Sequence, residues 1–97
     1  MILSFRDPGV EDIFEGKDTR AARASCPPDI WRIARRKLEL LDRAEALEDM
    51  QAPPGNRLEA LRGDRKGQHS VRINARYRIC FVWRETGPAE VEIVDYH

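Results

Sequence analysis

The chain has 97 residues, enough for one small domain, and 17 basic against 17 acidic side chains leave a formal net charge of zero. That balance argues against a wholly basic nucleic-acid coat protein. No apolar stretch approaches the roughly 18 residues that a membrane span needs, and the first residues lack a basic region followed by an apolar core. We therefore expect a cytoplasmic protein with no membrane partner. Cys26 and Cys80 lie far apart in a chain with two histidines, which disfavours a disulfide framework or a metal site, and no cofactor motif is present.

The zero net charge conceals a strong segregation. Residues 57–84 carry eight basic and two acidic side chains, a net charge of +6, whereas residues 85–97 carry four acidic side chains and no lysine or arginine, a net of −4. Arginine outnumbers lysine 14 to 3, which suits phosphate recognition because the guanidinium group can bind two phosphate oxygens. Codon usage would explain the ratio equally well, but it does not explain why the cations cluster in one segment.

In chain order, the pattern predicts a short strand, helices, and then a run of strands. Residues 2–5 are expected to form the first strand and residues 10–15 a brief helix, whereas residues 17–28 lack periodicity and are expected to form a loop. An amphipathic helix is then predicted from apolar residues at helical spacing: Ile30, Ile33, Ala34, Leu38, Leu41 and Ala44. From residue 57 the period changes to two, which predicts strands over 58–61, 69–73, 77–83 and 91–96.

This order of elements predicts an α+β fold. We expect a single domain over residues 1–97 in which an N-terminal helical hairpin packs on one face of a mainly antiparallel sheet of four to five strands. Helical turns before residue 57 and short turns between the later strands favour this arrangement over a parallel sheet.

The alternation of apolar residues also predicts a register between the strands around residues 72 and 78. Placing Ile73 opposite Tyr77 requires a three-residue turn between them and puts Arg72 directly opposite Arg78 on the other face. Like charges in that position destabilise a sheet. A bound anion would relieve the repulsion, but both guanidinium groups splaying into solvent, or pairing with the acidic tail, would do so equally.

The same reasoning extends to the last hairpin. With Val91 opposite Trp83, the register carries Tyr96 to a position opposite Arg78. We therefore expect Tyr96 to share one face of the sheet with both Arg72 and Arg78.

The last residues carry groups that can move protons. Cleaving RNA through its own 2′-hydroxyl requires a base, an acid for the leaving 5′-oxygen and cations that stabilise the phosphorane, and it leaves a 2′,3′-cyclic phosphate. Asp95 or His97 fits the base, Tyr96 or His97 the acid, and Arg72 with Arg78 the stabilising cations. A frayed terminus without a role is the alternative interpretation.

Several segments resemble one family in order, spacing and position. They are ILSFR at residues 2–6, NRLEALRGDR at 56–65, VRIN at 71–74, YRICF at 77–81 and EIVDYH at 92–97. Together they resemble the HigB-type toxins of the RelE/ParE superfamily over nearly the whole chain. The resemblance implies a RelE-like fold and a toxin of a type II toxin-antitoxin system that cleaves messenger RNA in the ribosomal A site. It also implies a helix-turn-helix antitoxin as partner, and operator DNA bound by the toxin-antitoxin complex.

The resemblance also implies roles for individual residues. The family's basic residue before Gly-Asp-Arg falls on Arg62, its strand arginines on Arg72 and Arg78, and its terminal catalytic group on Asp95, Tyr96 and His97. We add Arg65 and Lys66 of the same basic segment as RNA-binding candidates. Some relatives have lysine at the position of Arg62, which keeps the charge, and histidine at the position of Glu59, which makes Glu59 a further candidate base.

Two other functions remain open from the sequence. The superfamily also contains ParE-like proteins, which poison gyrase through protein contacts and need no catalytic residues. A toxin that has lost its activity would act only as a co-repressor with its antitoxin.

Overall fold

The computed structural model describes residues 1–96, in which three α-helices share one core with a four-stranded antiparallel sheet of order β1-β2-β3-β4. This confirms the predicted α+β class. No helix of the described residues has both the length and the apolar character that crossing a membrane requires. The elements are α1 (Pro8–Phe14), α2 (Arg20–Ser25), α3 (Trp31–Arg43), β1 (Glu59–Ala60), β2 (Gln68–Arg72), β3 (Tyr77–Arg84) and β4 (Gly87–Asp95).

The core lies between α3 and one face of the sheet. Ala34, Leu38 and Leu41 of α3 are fully buried, and alternate strand residues such as Ile79 meet them from the sheet. The predicted amphipathic helix is therefore confirmed, with one error. Ile33 is 44% exposed because it lies about 100° around the helix from Ala34, outside the buried stripe.

Helix α2 contradicts the prediction of a loop over residues 17–28. It begins after Thr19, whose hydroxyl accepts a hydrogen bond from the Ala22 amide at 3.0 Å. Periodicity did not reveal it because a helix of six residues buries only Ala22. It packs closely on α1, since a Cβ on Gly9 would lie 2.1 Å from the Ala21 carbonyl oxygen.

The predicted first strand is an extended segment rather than a strand. Phe5 forms one parallel bridge to Val91, and the Leu3 amide donates to the Pro88 carbonyl at 2.8 Å. The segment also reaches the helical layer, where the Ile2 amide donates to Asp42 Oδ1 at 2.8 Å. The first residues thus join β4 to α3.

The predicted register of the last hairpin is wrong, by two residues at Arg78 and by three at Trp83. Trp83 pairs with Pro88 rather than Val91, and Arg78 pairs with Val94 rather than Tyr96. The strand begins earlier than predicted because Gly87 and Pro88 lie within it, and a bulge opposite Phe81 accommodates one extra residue. Because the period of a strand is two, the slip of two residues around Arg78 leaves the side chains there on their predicted face.

Candidate active site

The β2–β3 hairpin confirms the predicted pairing of the two arginines. Arg72 pairs directly with Arg78, and the Ile73 amide donates to the Tyr77 carbonyl at 2.9 Å. The turn between the strands is held by Asn74, whose Oδ1 accepts from the Arg76 amide at 2.9 Å and from the Tyr77 amide at 2.7 Å. Two guanidinium groups therefore leave the sheet side by side.

Arg78 is fixed rather than splayed into solvent. It is 8% exposed, its Nε donates to Ser70 Oγ at 2.7 Å, and its Nη2 donates to the Arg57 carbonyl at 2.6 Å. Its Nη1 lies 3.9 Å from Glu59 Oε1. A buried cation held in this way is preorganised, because its orientation does not have to be set when an anion binds.

Glu59 reaches the same face through β1. It pairs with Ser70 of β2, which alternates with Arg72 along the strand, so all three side chains leave the sheet on one side. The Glu59 side chain is 54% exposed and lies beside Arg78. Its accessible carboxylate is within reach of a substrate bound beside Arg78, which is the geometry a proton acceptor requires.

Tyr96 lies against Arg78, although the two residues are not directly paired. The Arg78 Cζ atom is 6.0 Å from the centroid of the Tyr96 ring, and Tyr96 is 43% exposed. Around them opens a cleft of about 240 Å³, here named the arginine cleft, which is lined by Arg57, Arg72, Asn74, Ala75, Arg78 and Tyr96. At about 30 Å³ per water molecule, this volume has room for a phosphate group.

Arg72 differs from Arg78 in having no partner among the described residues. Its guanidinium has no hydrogen-bond or ion-pair partner within residues 1–96. It also helps to lower the pKa of Lys37, which burial lowers first and the charge of Arg72 lowers further. The arginine cleft thus combines one fixed cation with one whose charge no acidic group of residues 1–96 compensates.

Asp95 lies apart from the residues that line the arginine cleft. Asp95 pairs with Tyr77, whose side chain packs on the core side of the sheet, and its carboxylate binds Arg76 with Nη2–Oδ2 at 2.7 Å and Nε–Oδ1 at 2.9 Å. It therefore lies on the face opposite Arg78. His97 lies outside the described residues.

The predicted phosphate-binding cations also occupy different surroundings. Arg62 lines a shallow depression together with Glu59 and Tyr96, next to the arginine cleft. Lys66 is exposed in the turn before β2. Arg65, in contrast, donates to Glu92 Oε2 at 3.1 Å and to Gln68 Oε1 at 3.0 Å. Its charge is compensated within the protein.

Arg57 was not singled out by the sequence, although it lines the arginine cleft. Its backbone is held by Asn56, a fully buried residue whose Nδ2 donates to the carbonyls of Met50 and Ala52 at 3.2 and 3.0 Å. Lys37 of α3 donates to Asn56 Oδ1 at 2.5 Å and so fixes this loop to the helical layer. In the sequence, the only indication of a role for Arg57 is that it belongs to the basic segment at residues 57–84.

Both cysteines are buried and free. Burial raises the pKa of Cys26 to about 11 and also raises that of Cys80, so both thiols stay protonated at neutral pH. No three His, Cys, Asp or Glu side chains among residues 1–96 are arranged to hold a metal ion.

The fold and the arginine cleft agree with the class of RelE-like toxins. The family model described as "RelE-like toxin of type II toxin-antitoxin system HigB" matches residues 3–97. The chain therefore belongs to the HigB-like family of type II toxins, as its sequence motifs predicted. A toxin of such a system has an antitoxin as its partner.

Two relatives support this assignment. Toxin HigB-1 of Vibrio cholerae serotype O1 is 43% identical over 83 residues, which cover 86% of this chain and 84% of that protein. An uncharacterised protein of Haemophilus influenzae is 29% identical over 77 residues, which cover 79% of this chain and 73% of the relative.

Proposed function

We propose that this toxin is an endoribonuclease that cleaves messenger RNA on the ribosome and so stops translation. The single observation that carries the proposal is the arginine cleft, where two paired arginines and an exposed tyrosine surround a space with the size and charge that a phosphate requires. In the reaction, the 2′-oxygen forms a bond to phosphorus and the bond from phosphorus to the 5′-oxygen breaks. The 2′-hydroxyl loses a proton, the 5′-oxygen gains one, and a 2′,3′-cyclic phosphate remains.

Each side chain of the site has a role in that scheme. Arg78 and Arg72 stabilise the additional negative charge of the phosphorane. Tyr96 donates the proton to the 5′-oxygen, and its position supports this role because its exposed side chain lines the cleft beside the Arg78 guanidinium. Glu59 accepts the 2′-hydroxyl proton, since its carboxylate is exposed beside Arg78, whereas Asp95 is bound by Arg76 on the opposite face. His97 remains the competing candidate for the base.

The requirement for a ribosome follows from the charge distribution. A formal net charge of zero gives a weak long-range field, so the cleft attracts RNA only by short-range contacts. A substrate that the ribosome presents at high local concentration removes that disadvantage. Arg62, which is exposed next to the cleft, and Lys66, which is exposed in the turn before β2, are proposed to contact the RNA backbone outside the scissile phosphate.

The proposed partners extend beyond the RNA. We propose that the antitoxin carries a helix-turn-helix domain and that the complex of the two proteins binds the operator of their own genes. The toxin is proposed to act in the cytoplasm, where translating ribosomes supply its substrate.

The decisive experiment is cleavage of a defined message in vitro, with and without translating ribosomes. We expect cuts within the translated region only when ribosomes are present, with 2′,3′-cyclic phosphate at the new 3′ ends. Intact messages together with a DNA-damage response in induced cells would instead support gyrase poisoning. Operator binding by the toxin-antitoxin complex with no toxicity at all would support a pure co-repressor.

A further inference from the structure

The backbone of Arg57 adopts a conformation that arginine avoids. Its φ is +46° and its ψ is +59°, which lie in the left-handed region. For a residue with a Cβ this region is unfavourable, and such residues cluster at functional sites where the surrounding structure enforces them. Glycine or asparagine would adopt the same backbone more readily.

The surrounding contacts explain how this conformation is enforced. The Arg57 amide donates to the Pro54 carbonyl at 3.2 Å, and its carbonyl accepts from Arg78 Nη2 at 2.6 Å. The preceding residue, Asn56, is fully buried and anchored by its own hydrogen bonds. These contacts need the backbone of residue 57, and none of them needs an arginine side chain.

The Arg57 side chain has a different environment from its backbone. Residue 57 is exposed and lines the arginine cleft together with Arg72 and Arg78. Its guanidinium has no hydrogen-bond or ion-pair partner within residues 1–96. An arginine therefore occupies a position where asparagine or glycine would fit the backbone better, and its charge meets no acid of the described protein.

We propose that Arg57 is a third phosphate-binding arginine of the cleft, kept at a strained position because its side chain contacts the substrate. This inference rests on the proposed function and deepens it: the site would bind the scissile phosphate through three guanidinium groups, of which Arg78 is fixed and Arg57 and Arg72 are free to close on the anion. Three guanidinium groups around one phosphate could keep their hydrogen bonds to its oxygens as the phosphorus becomes five-coordinate.

The test compares Arg57→Asn, Arg57→Lys and the matched control Arg43→Asn, which removes an exposed arginine from the end of α3. Asparagine tolerates the left-handed backbone, so we expect Arg57→Asn to melt at or above the temperature of the wild type. Cleavage of ribosome-bound message should fall about 10- to 100-fold. Lysine retains a cation and should restore part of that loss, and Arg43→Asn should cleave like the wild type.

A binding measurement distinguishes a failure of the role assigned to Arg57 from a failure of the proposed function. Affinity is measured on ribosomes programmed with a message that is methylated at its 2′-oxygens and cannot be cut. Arg57→Asn should bind more weakly than the wild type, and its affinity should depend less steeply on salt, by about 0.7 in the logarithmic slope. Equal binding and cleavage by wild type and Arg57→Asn, or a loss accompanied by a lower melting temperature, would overturn the role of Arg57. A wild-type toxin that binds this message without cutting the unmethylated one would instead overturn the proposed function.

Discussion

Two regions of the sheet are rich in arginine. In one region the arginines form ion pairs with glutamates, and in the other most of them have no acidic partner within residues 1–96. At the edge next to the N-terminal segment, Arg6 and Arg84 bind Glu90 at 2.9 and 2.6 Å, and Arg65 binds Glu92 at 3.1 Å. In the arginine cleft, Arg72 and Arg57 have no acidic partner within residues 1–96, and Arg78 has only Glu59, at 3.9 Å.

The difference shows that the number of charges in a segment does not identify a binding site. Of the eight basic residues in the +6 segment, three are bound by carboxylates of the acidic tail: Arg65, Arg76 and Arg84. The tail, as far as residue 96, thus neutralises one part of the basic segment and forms no ion pair with Arg57, Arg72 or Arg78. Cations without acidic partners, gathered in a concave space, are the feature that a phosphate ligand requires.

The largest effect on cleavage is expected at Arg78, because both the cleft and the fold depend on its side chain. Arg78→Ala removes the fixed cation and leaves Ser70 and the Arg57 carbonyl without their hydrogen-bond donor. We expect cleavage to fall below detection and the free energy of unfolding to decrease by about 1–3 kcal/mol. Urea unfolding and the ribosome cleavage assay measure the two effects. If Arg84→Ala, the matched change at the paired edge, lost as much activity, the distinction between the two regions would fail.

The second-largest effect is expected when the charge of Glu59, the proposed base, is removed. Glu59→Gln keeps the size of an exposed side chain and removes its charge, so stability should change little while cleavage falls about 100-fold or more. Deletion of His97 in parallel identifies the competing base. Full activity of Glu59→Gln together with an inactive His97 deletion would transfer the role to His97.

A smaller effect is expected at Arg72, which has no partner within residues 1–96. Its loss should lower activity but should not lower stability. Arg72→Ala should reduce cleavage about 10- to 100-fold. It should leave stability equal or raise it by about 0.2–1 kcal/mol, because it removes a like charge directly opposite Arg78. Arg65→Ala should do the reverse, keeping activity and lowering stability by less than about 1 kcal/mol. Cleavage rates and thermal melts of the two variants provide the comparison.

The smallest effect is a dependence of stability on pH at the paired edge. The hydrogen bond from Arg6 lowers the pKa of Glu90 below its ordinary value of 4.5. A carboxylate with a lowered pKa stabilises the fold above that ordinary value, and the contribution is lost as the pH falls through the lowered pKa. Melting temperatures between pH 6 and pH 3 should therefore fall more steeply for the wild type than for Arg6→Gln. Parallel curves would show that this pair contributes no stability.

The sequence predicted the face of the sheet that carries the site better than the details around it. Apolar alternation placed Arg72, Arg78 and Tyr96 together, and this survived a register error because a slip of two residues preserves the face. Asp95 was grouped with Tyr96 by adjacency, yet neighbours along a strand point to opposite sides.

Other features had no local signal in the sequence. The left-handed backbone of Arg57 depends on contacts with Pro54 and Arg78, which are distant in sequence or specific to one loop. Helix α2 is too short to show an apolar period, although Thr19 and the alanines after it agree with its capping and propensity. The bulge that shifts the last hairpin likewise depends on tertiary packing.

The docking of residues 2–5 against β4 has a consequence for how the toxin is made. This segment is synthesised long before its hydrogen-bond partners, Pro88 and Val91, which lie on the strand that leads to Tyr96. Contacts between positions so far apart in the chain slow folding, because a long loop must close before they can form. A nascent chain therefore cannot complete the arginine cleft until β4 and Tyr96 have been synthesised and have joined the rest of the sheet.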